Sequence, residues 1–216
     1  MLQIRETAVW YLVSVLLGYL LGSCPNGYLV AKSRGLDIRH HGSGNIGATN
    51  VLRVLGKRWG YLVFFLDALK GFAAVRLAFL MGKNAVPSLA RPEIIGIAAA
   101  LACILGHTFP VWLRFRGGKG VATSAGVLLG LMPLAVFSVL AVWLLLFKTT
   151  RYVSVASIGA AAALPIFVAV YLHFALLAGA LLLPFSILIA AVVVWRHRSN
   201  IQRLFQGTEQ RFSQKP

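Results

Sequence analysis

The sequence predicts an all-α integral membrane protein: a compact bundle of about seven transmembrane or re-entrant helices, N-terminus outside and C-terminus cytoplasmic. Three observations predict it. Charged residues make up 12% of the 216 residues and hydrophobic ones 59%, whereas soluble domains carry about 25% charge. Apolar runs of about 20 residues recur along the chain, the length that crosses a bilayer as a helix. Lys and Arg total 21 against 5 Asp and Glu, a net charge of +16, and they gather between the runs, as they do in cytoplasmic loops.

The first run covers Ala8 to Val30. It has no small-residue cleavage site followed by a soluble domain, so it reads as a first span rather than a removed signal peptide. Gly22-Ser-Cys-Pro-Asn-Gly-Tyr28 lies inside it; polar residues and a Pro there predict a kink whose freed backbone groups are satisfied by neighbours. Lys32, Arg34, Arg39, Arg53, Lys57 and Arg58 follow and place the next segment in the cytoplasm. The second run, Tyr61 to Met81, contains Asp67 and Lys70. At i and i+3 they sit on one helix face, which favours a structural pair over a catalytic acid. The third, Ile94 to Leu113, starts from an outer loop near Lys83 and Arg91 and returns the chain to Arg114, Arg116 and Lys119.

The stretch Val121 to Phe147 is too long for an ordinary span and is broken at Met132-Pro133. If it crosses once, the tail with Arg196, Arg198, Arg203, Arg211 and Lys215 ends outside, against the positive-inside rule. Folding back at Pro133 keeps the rule, with two halves of about 12 to 14 residues, or about 20 Å each. Such halves are short of the bilayer core, so each spans tilted or is re-entrant. Runs at Val153 to Phe174 and Ala175 to Trp195 complete the set. The length leaves no room for a second soluble domain, so residues 1–216 are expected to form one transmembrane domain. Cys24 and Cys103 lie in apolar stretches and read as small core residues.

Scattered basic residues form no basic domain, which argues against nucleic acid as a partner and leaves an anionic membrane surface or an anionic substrate. Two segments carry the phosphate chemistry. Asp37 to Asn50 holds Gly42, Gly44 and Gly47, then Arg53. Such a glycine loop turns sharply and its N–H groups can form an anion nest; Ser43, Asn45, Thr49 and Asn50 add neutral donors, and Arg53 a guanidinium fork. In Gly106 to Thr123, Gly117, Gly118 and Gly120 surround Lys119 just before a helix, where free N–H groups and the helix dipole favour anions. A membrane-edge Lys snorkelling to headgroups has the same local sequence. Leu113 and Gly120 stand where a Walker loop needs Gly and Ser or Thr, so no nucleotide is implied. His107 and Phe109-Pro110 read as structural. His40 and His41 read as solvated. No metal-ligand spacing and no Gly-x-Ser-x-Gly elbow occurs.

Gly22-Ser-Cys-Pro-Asn-Gly-Tyr-Leu29, Gly42-Ser-Gly-Asn-Ile-Gly-Ala-Thr-Asn-Val-Leu-Arg53, Leu66-Asp-Ala-Leu-Lys-Gly71, Gly106-His-Thr-Phe-Pro110, Phe115-Arg-Gly-Gly-Lys-Gly-Val-Ala-Thr123 and Gly207-Thr-Glu209 together resemble the bacterial membrane glycerol-3-phosphate acyltransferases that use acyl-phosphate. The resemblance covers nearly the whole chain; Cys24 stands where an aliphatic residue is expected. It implies acyl transfer to the 1-hydroxyl of glycerol 3-phosphate, giving lysophosphatidic acid and inorganic phosphate, at the cytoplasmic face of the bacterial inner membrane. It implies no metal or other cofactor and no acyl-CoA donor. A partner enzyme that supplies acyl-phosphate is implied, with membrane lipid as surroundings.

By resemblance and donor type, Ser43, Arg53 and Lys119 should hold phosphate, aided by the Gly44–Gly47 and Gly117–Gly120 backbones. Ser154, His197 and Asn200 should orient glycerol 3-phosphate. His197 and Asn200 are three apart, on one face if helical. The base is either His197 or a substrate phosphate oxygen; Glu209 should brace a cationic residue. The competing class is an anion transporter, which places binding groups near the bilayer midplane and often shows repeats, whereas the polar groups here cluster on one predicted side.

Overall fold

The computed structural model describes residues 2–82 and 92–212. Lys83, Arg91 and Lys215, used above to assign sides, lie outside the described residues. Every regular element among the described residues is helical. The chain divides into two compact units, Met1–Leu131 and Met132–Pro216.

The first unit contains α1 (Leu2–Ser23), α2 (Asn26–Lys32), α3 (Ala48–Leu55), α4 (Lys57–Gly82), α5 (Pro92–Thr108) and α6 (Val121–Leu131). The expected kink separates α1 from α2 at Cys24-Pro25, because Pro has no N–H to continue the ladder. α1 and α5 pack through small residues: a Cβ at Gly22 would meet Cys103 O at 2.0 Å, and one at Gly106 would meet Tyr19 O at 2.2 Å. Small residues let membrane helices approach backbone to backbone, where dispersion contacts replace the missing hydrophobic drive. α4 meets α6 in the same way at Gly71 and Gly126.

The second unit contains α7 (Pro133–Thr150), α8 (Val153–His173), α9 (Leu182–Arg196) and α10 (Arg198–Phe205), packed in chain order. Met132-Pro133 does break the long apolar stretch, but not into equal halves. α6 has 11 residues and α7 has 18. α7 outruns Phe147 because Thr149 and Thr150 turn their hydroxyls back to the carbonyls of Leu145 and Leu146 at 2.9 and 2.6 Å. At about 27 Å it is nearly bilayer-long, and α6 at about 16 Å is not. α9 starts seven residues later than the apolar run suggested, at Leu182 instead of Ala175. The intervening chain turns through left-handed Ala175 and Gly179.

Among the described residues four helical stretches are long and apolar enough to cross a membrane, at Thr7–Lys32, Glu93–Leu113, Pro133–Thr150 and Val153–His173, with a fifth if the pair α9–α10, bent by 54°, is one broken span. α4, with 26 residues, is as long as the longest of these but carries Asp67, Lys70 and Arg76.

Candidate functional site

In the first unit the loop Asp37–Gly47 is anchored at both ends. Ile38 and Ile46 are buried in one cluster with Val51 of α3, Val63 of α4 and Leu113. That shared core brings the 37–53 and 106–120 segments together. Between its anchors the loop passes through left-handed Gly42 and Gly44, φ +60° and +69°, a region other L-residues enter only at a cost. Ser43 is exposed at its tip, and Arg53 is half-buried on α3.

Asn50 and Asn45 do different work from the ligand donors expected. Asn50 is buried: its Nδ2 donates to His41 O at 3.0 Å and Asn45 O at 2.9 Å, and its Oδ1 accepts from Ser43 N at 2.9 Å. Asn45 Oδ1 accepts from Gly47 N at 2.8 Å. Both amides therefore hold the loop, and the Gly47 N–H is spent inside it. A short polar side chain that bonds its own neighbouring backbone is the usual Asx pattern; the sequence contains this option but does not choose between it and a ligand. Thr49 sits half-buried in the first turn of α3.

The Gly117 and Gly118 N–H groups are also used by the fold. They donate to Thr108 O and His107 O, both at 3.1 Å. The end of α5 leaves carbonyls without helical partners, and the glycine loop caps them. Two N–H groups expected to face an anion instead satisfy a helix terminus. The anion-seeking features left in this segment are half-buried Lys119, left-handed Gly120 and the first turn of α6, whose N–H groups have no partner within the helix. Arg39, Trp112, Leu113, Arg114 and Arg116 line an open cavity of about 480 Å³ nearby. No residue expected to bind substrate lines it, so it does not define the site.

Some features were not legible in sequence. Asp37 grips Arg39 with both carboxylate oxygens, at 2.9 and 2.6 Å, and Arg39 lies 4.8 Å from the Tyr28 ring. That bond, above all, holds the Asp37 carboxyl well below the ordinary carboxylate range. The expected Asp67–Lys70 pair is present at 2.9 Å. Its extension to Asn26, Cys24 O and His107 was not foreseen; polar residues at matching depths on three apolar runs were the available signal.

In the second unit, Glu209 is the centre of a compact cluster. Its Oε1 accepts from Ser154 Oγ at 2.8 Å and Asn200 Nδ2 at 2.6 Å, and its Oε2 from Arg203 Nε at 2.8 Å. Burial pushes this carboxyl up, but the bonds from Asn200, Ser154 and Arg203 outweigh it and hold Glu209 below its ordinary value. The sequence explains how Glu209 gets there. Gly207 turns left-handed after α10, φ +67°, and the chain then returns so that Phe212 N donates to Arg151 O at 2.8 Å. His197 is the hinge between α9 and α10 and is buried. Its Nδ1 lies 2.7 Å from Val193 O. A carbonyl only accepts, so Nδ1 carries the proton and Nε2 of the neutral ring holds the lone pair.

Among the described residues these features define an all-helical, multi-pass membrane protein, with basic glycine loops in one unit and, in the other, a carboxylate-centred cluster and a buried histidine whose Nδ1 faces a backbone carbonyl. The chain belongs to the glycerol-3-phosphate acyltransferase family, whose profile matches residues 12–207. Similar proteins include glycerol-3-phosphate acyltransferases of Geotalea daltonii, 48% identical over 93% of this chain and 97% of that protein, and of Sinorhizobium fredii, 49% identical over 94% and 93%. A crystal structure of the integral membrane glycerol 3-phosphate acyltransferase PlsY, in its glycerol 3-phosphate form, superposes with a TM-score of 0.83 at 42% identity. It covers 94% of this chain and 96% of that one. The lysophosphatidic acid form of that protein gives 0.81. The transporter alternative raised by the basic residues and broken helices falls with this membership.

Proposed function

We propose that this chain, acting as one catalytic domain over residues 1–216, moves a fatty acyl group from acyl-phosphate to the 1-hydroxyl of glycerol 3-phosphate. The observation that carries the reading is near-full-length likeness to a protein crystallised in a glycerol 3-phosphate form and a lysophosphatidic acid form, the acceptor and its acylated product. The glycerol oxygen attacks the acyl carbonyl carbon. The bond from that carbon to the phosphate oxygen breaks, and inorganic phosphate leaves with the electron pair. Acyl-phosphate is already activated, so no covalent enzyme intermediate is required. The protein has to align the hydroxyl with the carbonyl and stabilise charge on the departing phosphate.

Ser43, Arg53 and Lys119 hold phosphate in this reading, with Gly44, Gly120 and the first turn of α6 shaping the cradle. Asn45, Gly47, Asn50, Gly117 and Gly118 act one step back, by fixing the loops. Thr49 is assigned to the same cradle. Ser154 and Asn200, held by Glu209, orient glycerol 3-phosphate. Either His197 Nε2 or a substrate phosphate oxygen takes the hydroxyl proton; the Nδ1 bond to Val193 O supports the first by leaving the lone pair on Nε2. We place the reaction at the cytoplasmic face of a bacterial inner membrane, N-terminus outside and C-terminus inside, served by an enzyme that makes acyl-phosphate. The basic residues between α2 and α4 and in the tail support that orientation.

The test is acyl transfer by detergent-purified protein, following phosphate and lysophosphatidic acid from palmitoyl-phosphate and glycerol 3-phosphate, with palmitoyl-CoA as control donor. Turnover with the acyl-phosphate alone is expected. Lys119→Ala should lose about 10²- to 10³-fold, the usual effect of removing one donor that stabilises developing charge. His197→Ala should lose about 10²- to 10⁴-fold if it is the base, and markedly less if substrate phosphate takes the proton. No transfer by folded protein in lipid would overturn the reading.

A further inference from the structure

Three sequence motifs have no task in the chemistry above: Gly22–Tyr28, Leu66–Gly71 and Gly106–Pro110. The structure joins them in one buried network within the first unit. Asn26 Nδ2 donates to Asp67 Oδ1 at 3.0 Å, and Lys70 Nζ reaches the same oxygen at 2.9 Å. Lys70 Nζ also donates to Cys24 O at 2.8 Å and lies 3.0 Å from His107 Nδ1. Asp67, Lys70 and His107 are all buried.

The donor count fixes the histidine. An ammonium has three hydrogens and no acceptor site, and its three close contacts are Asp67, Cys24 O and His107 Nδ1. Nδ1 must therefore accept. Asp67 Oδ1 lies 3.7 Å from that nitrogen, beyond hydrogen-bond reach, so the carboxylate does not compete for it. The ring proton consequently sits on Nε2, and Nε2 faces the glycine loop. A Cβ built on Gly118 would lie 2.2 Å from His107 Nε2, and one on Gly120 would lie 3.9 Å from Cδ2. Gly118 N meanwhile donates to the carbonyl of His107 itself at 3.1 Å. The loop is wrapped around this one residue, ring and backbone, and Lys119 is the next residue along.

We propose that His107, clamped through Nδ1 by the Asp67–Lys70 pair, is a positioning residue that seats the Gly117–Gly120 loop and thereby sets where Lys119 presents its ammonium. The inference rests on Lys119 as the phosphate-holding group. It explains why Gly118 has no side chain although its φ is not left-handed: the ring occupies the space. It also makes a buried ion pair part of the phosphate site without either charge touching substrate. A misplacement of about 1 Å costs up to about 100-fold in rate, so a loop seated by one ring is sensitive to that ring.

The test is a mutant cycle read as kcat and KM in the palmitoyl-phosphate assay. Gly118→Ala alone should reduce kcat/KM by about 10- to 100-fold, because its methyl group displaces the His107 ring. His107→Asn keeps an amide oxygen within reach of Lys70, so the clamp and the fold survive, but it vacates the space at Gly118. Its unfolding temperature should stay near that of the wild type while kcat/KM falls. In that background Gly118→Ala should cost little more. In a Lys119→Ala background, His107→Asn should cost nothing further. Multiplicative losses in either pairing would overturn the proposal, as would a fall in unfolding temperature without a change in kcat or KM. Unchanged turnover in Lys119→Ala alone would instead overturn the phosphate assignment on which it rests.

Discussion

Each unit buries one carboxylate that takes a hydrogen bond from an asparagine and an ion pair from a cation. In the first unit Asp67 takes Asn26 and Lys70; in the second Glu209 takes Asn200 and Arg203, with Ser154 added. The difference is in what each carboxylate touches. Asp67 reaches the glycine loop of its own unit only through Lys70 and His107, whereas Glu209 directly bonds Ser154 and Asn200, two residues proposed to orient substrate. The cations differ too. Lys70 is almost wholly buried, with 6% side-chain exposure, and Arg203 is at 36%. A buried pair is a poor source of net stability but costly to break from one side. A pair with one cation in solvent is cheaper to break and matters through the groups it orients. One arrangement of groups thus forms a deep clamp in one unit and, in the other, ties Ser154, Asn200 and Arg203 to one carboxylate.

The largest effect should follow from breaking the deep clamp. Asp67→Asn leaves Lys70 charged and uncompensated in the interior, a loss of about 3–5 kcal/mol, read as a large drop in unfolding temperature in detergent. Adding Lys70→Met should recover part of it, because the second change removes the stranded charge. A loss below about 1 kcal/mol, the scale of an exposed pair, would show that the Asp67–Lys70 pair behaves as a surface pair does. Glu209→Gln should be milder, about 1–3 kcal/mol, since a glutamine oxygen still accepts from Ser154 and Asn200 while its amide group opposes Arg203. Its activity loss should exceed what its stability loss explains.

Acid separates the two variants further. Glu209 is held below its ordinary value in the folded protein, so its ionised form contributes fully above the ordinary carboxylate range. That contribution disappears as pH falls through the lowered value. Wild-type protein should lose stability over that acid interval by more than Glu209→Gln does. Equal acid profiles would show that the carboxylate is not the organiser of this cluster.

The sequence made the membrane class, the break at Pro133 and the Asp67–Lys70 pair legible because each follows from local rules: apolar length, a missing N–H, and i,i+3 spacing. The residues of the two clusters were legible mainly through family resemblance, since nothing local links Ser154 to Glu209 across 55 positions. Donor roles were legible least. Gly47, Gly117 and Gly118 offered N–H groups to an anion on paper, but whether a backbone donor faces a ligand or caps a helix end depends on which carbonyl folding brings near. For Gly117 and Gly118 those carbonyls belong to residues nine and eleven positions back. Asn50 illustrates the same limit: polar and loop-adjacent in sequence, it is fully enclosed in the structure.

The smallest effect is expected at a carboxylate whose arginine partner resembles that of Glu209. Asp37 also holds an arginine with two bonds, and its carboxyl is held lower than that of a free aspartate, chiefly by that arginine. Both partners are substantially exposed, with side-chain exposures of 41% for Arg39 and 30% for Asp37. Water and salt therefore screen the attraction. The loop they flank is already fixed by buried Ile38 and Ile46 and by the Asn50 amide. Asp37→Asn should leave the unfolding temperature and kcat within experimental scatter, and 1 M salt should do the same to wild-type protein as far as this pair is concerned. Asn50→Ala, which removes the internal bonds and keeps the ion pair, should speed amide hydrogen exchange across residues 38–47 and raise KM. If Asp37→Asn instead reproduced the Asn50→Ala exchange pattern, the loop would be held by its surface charges. The first unit's loop would then be organised by an accessible carboxylate, as the second unit's polar cluster is organised by a buried one.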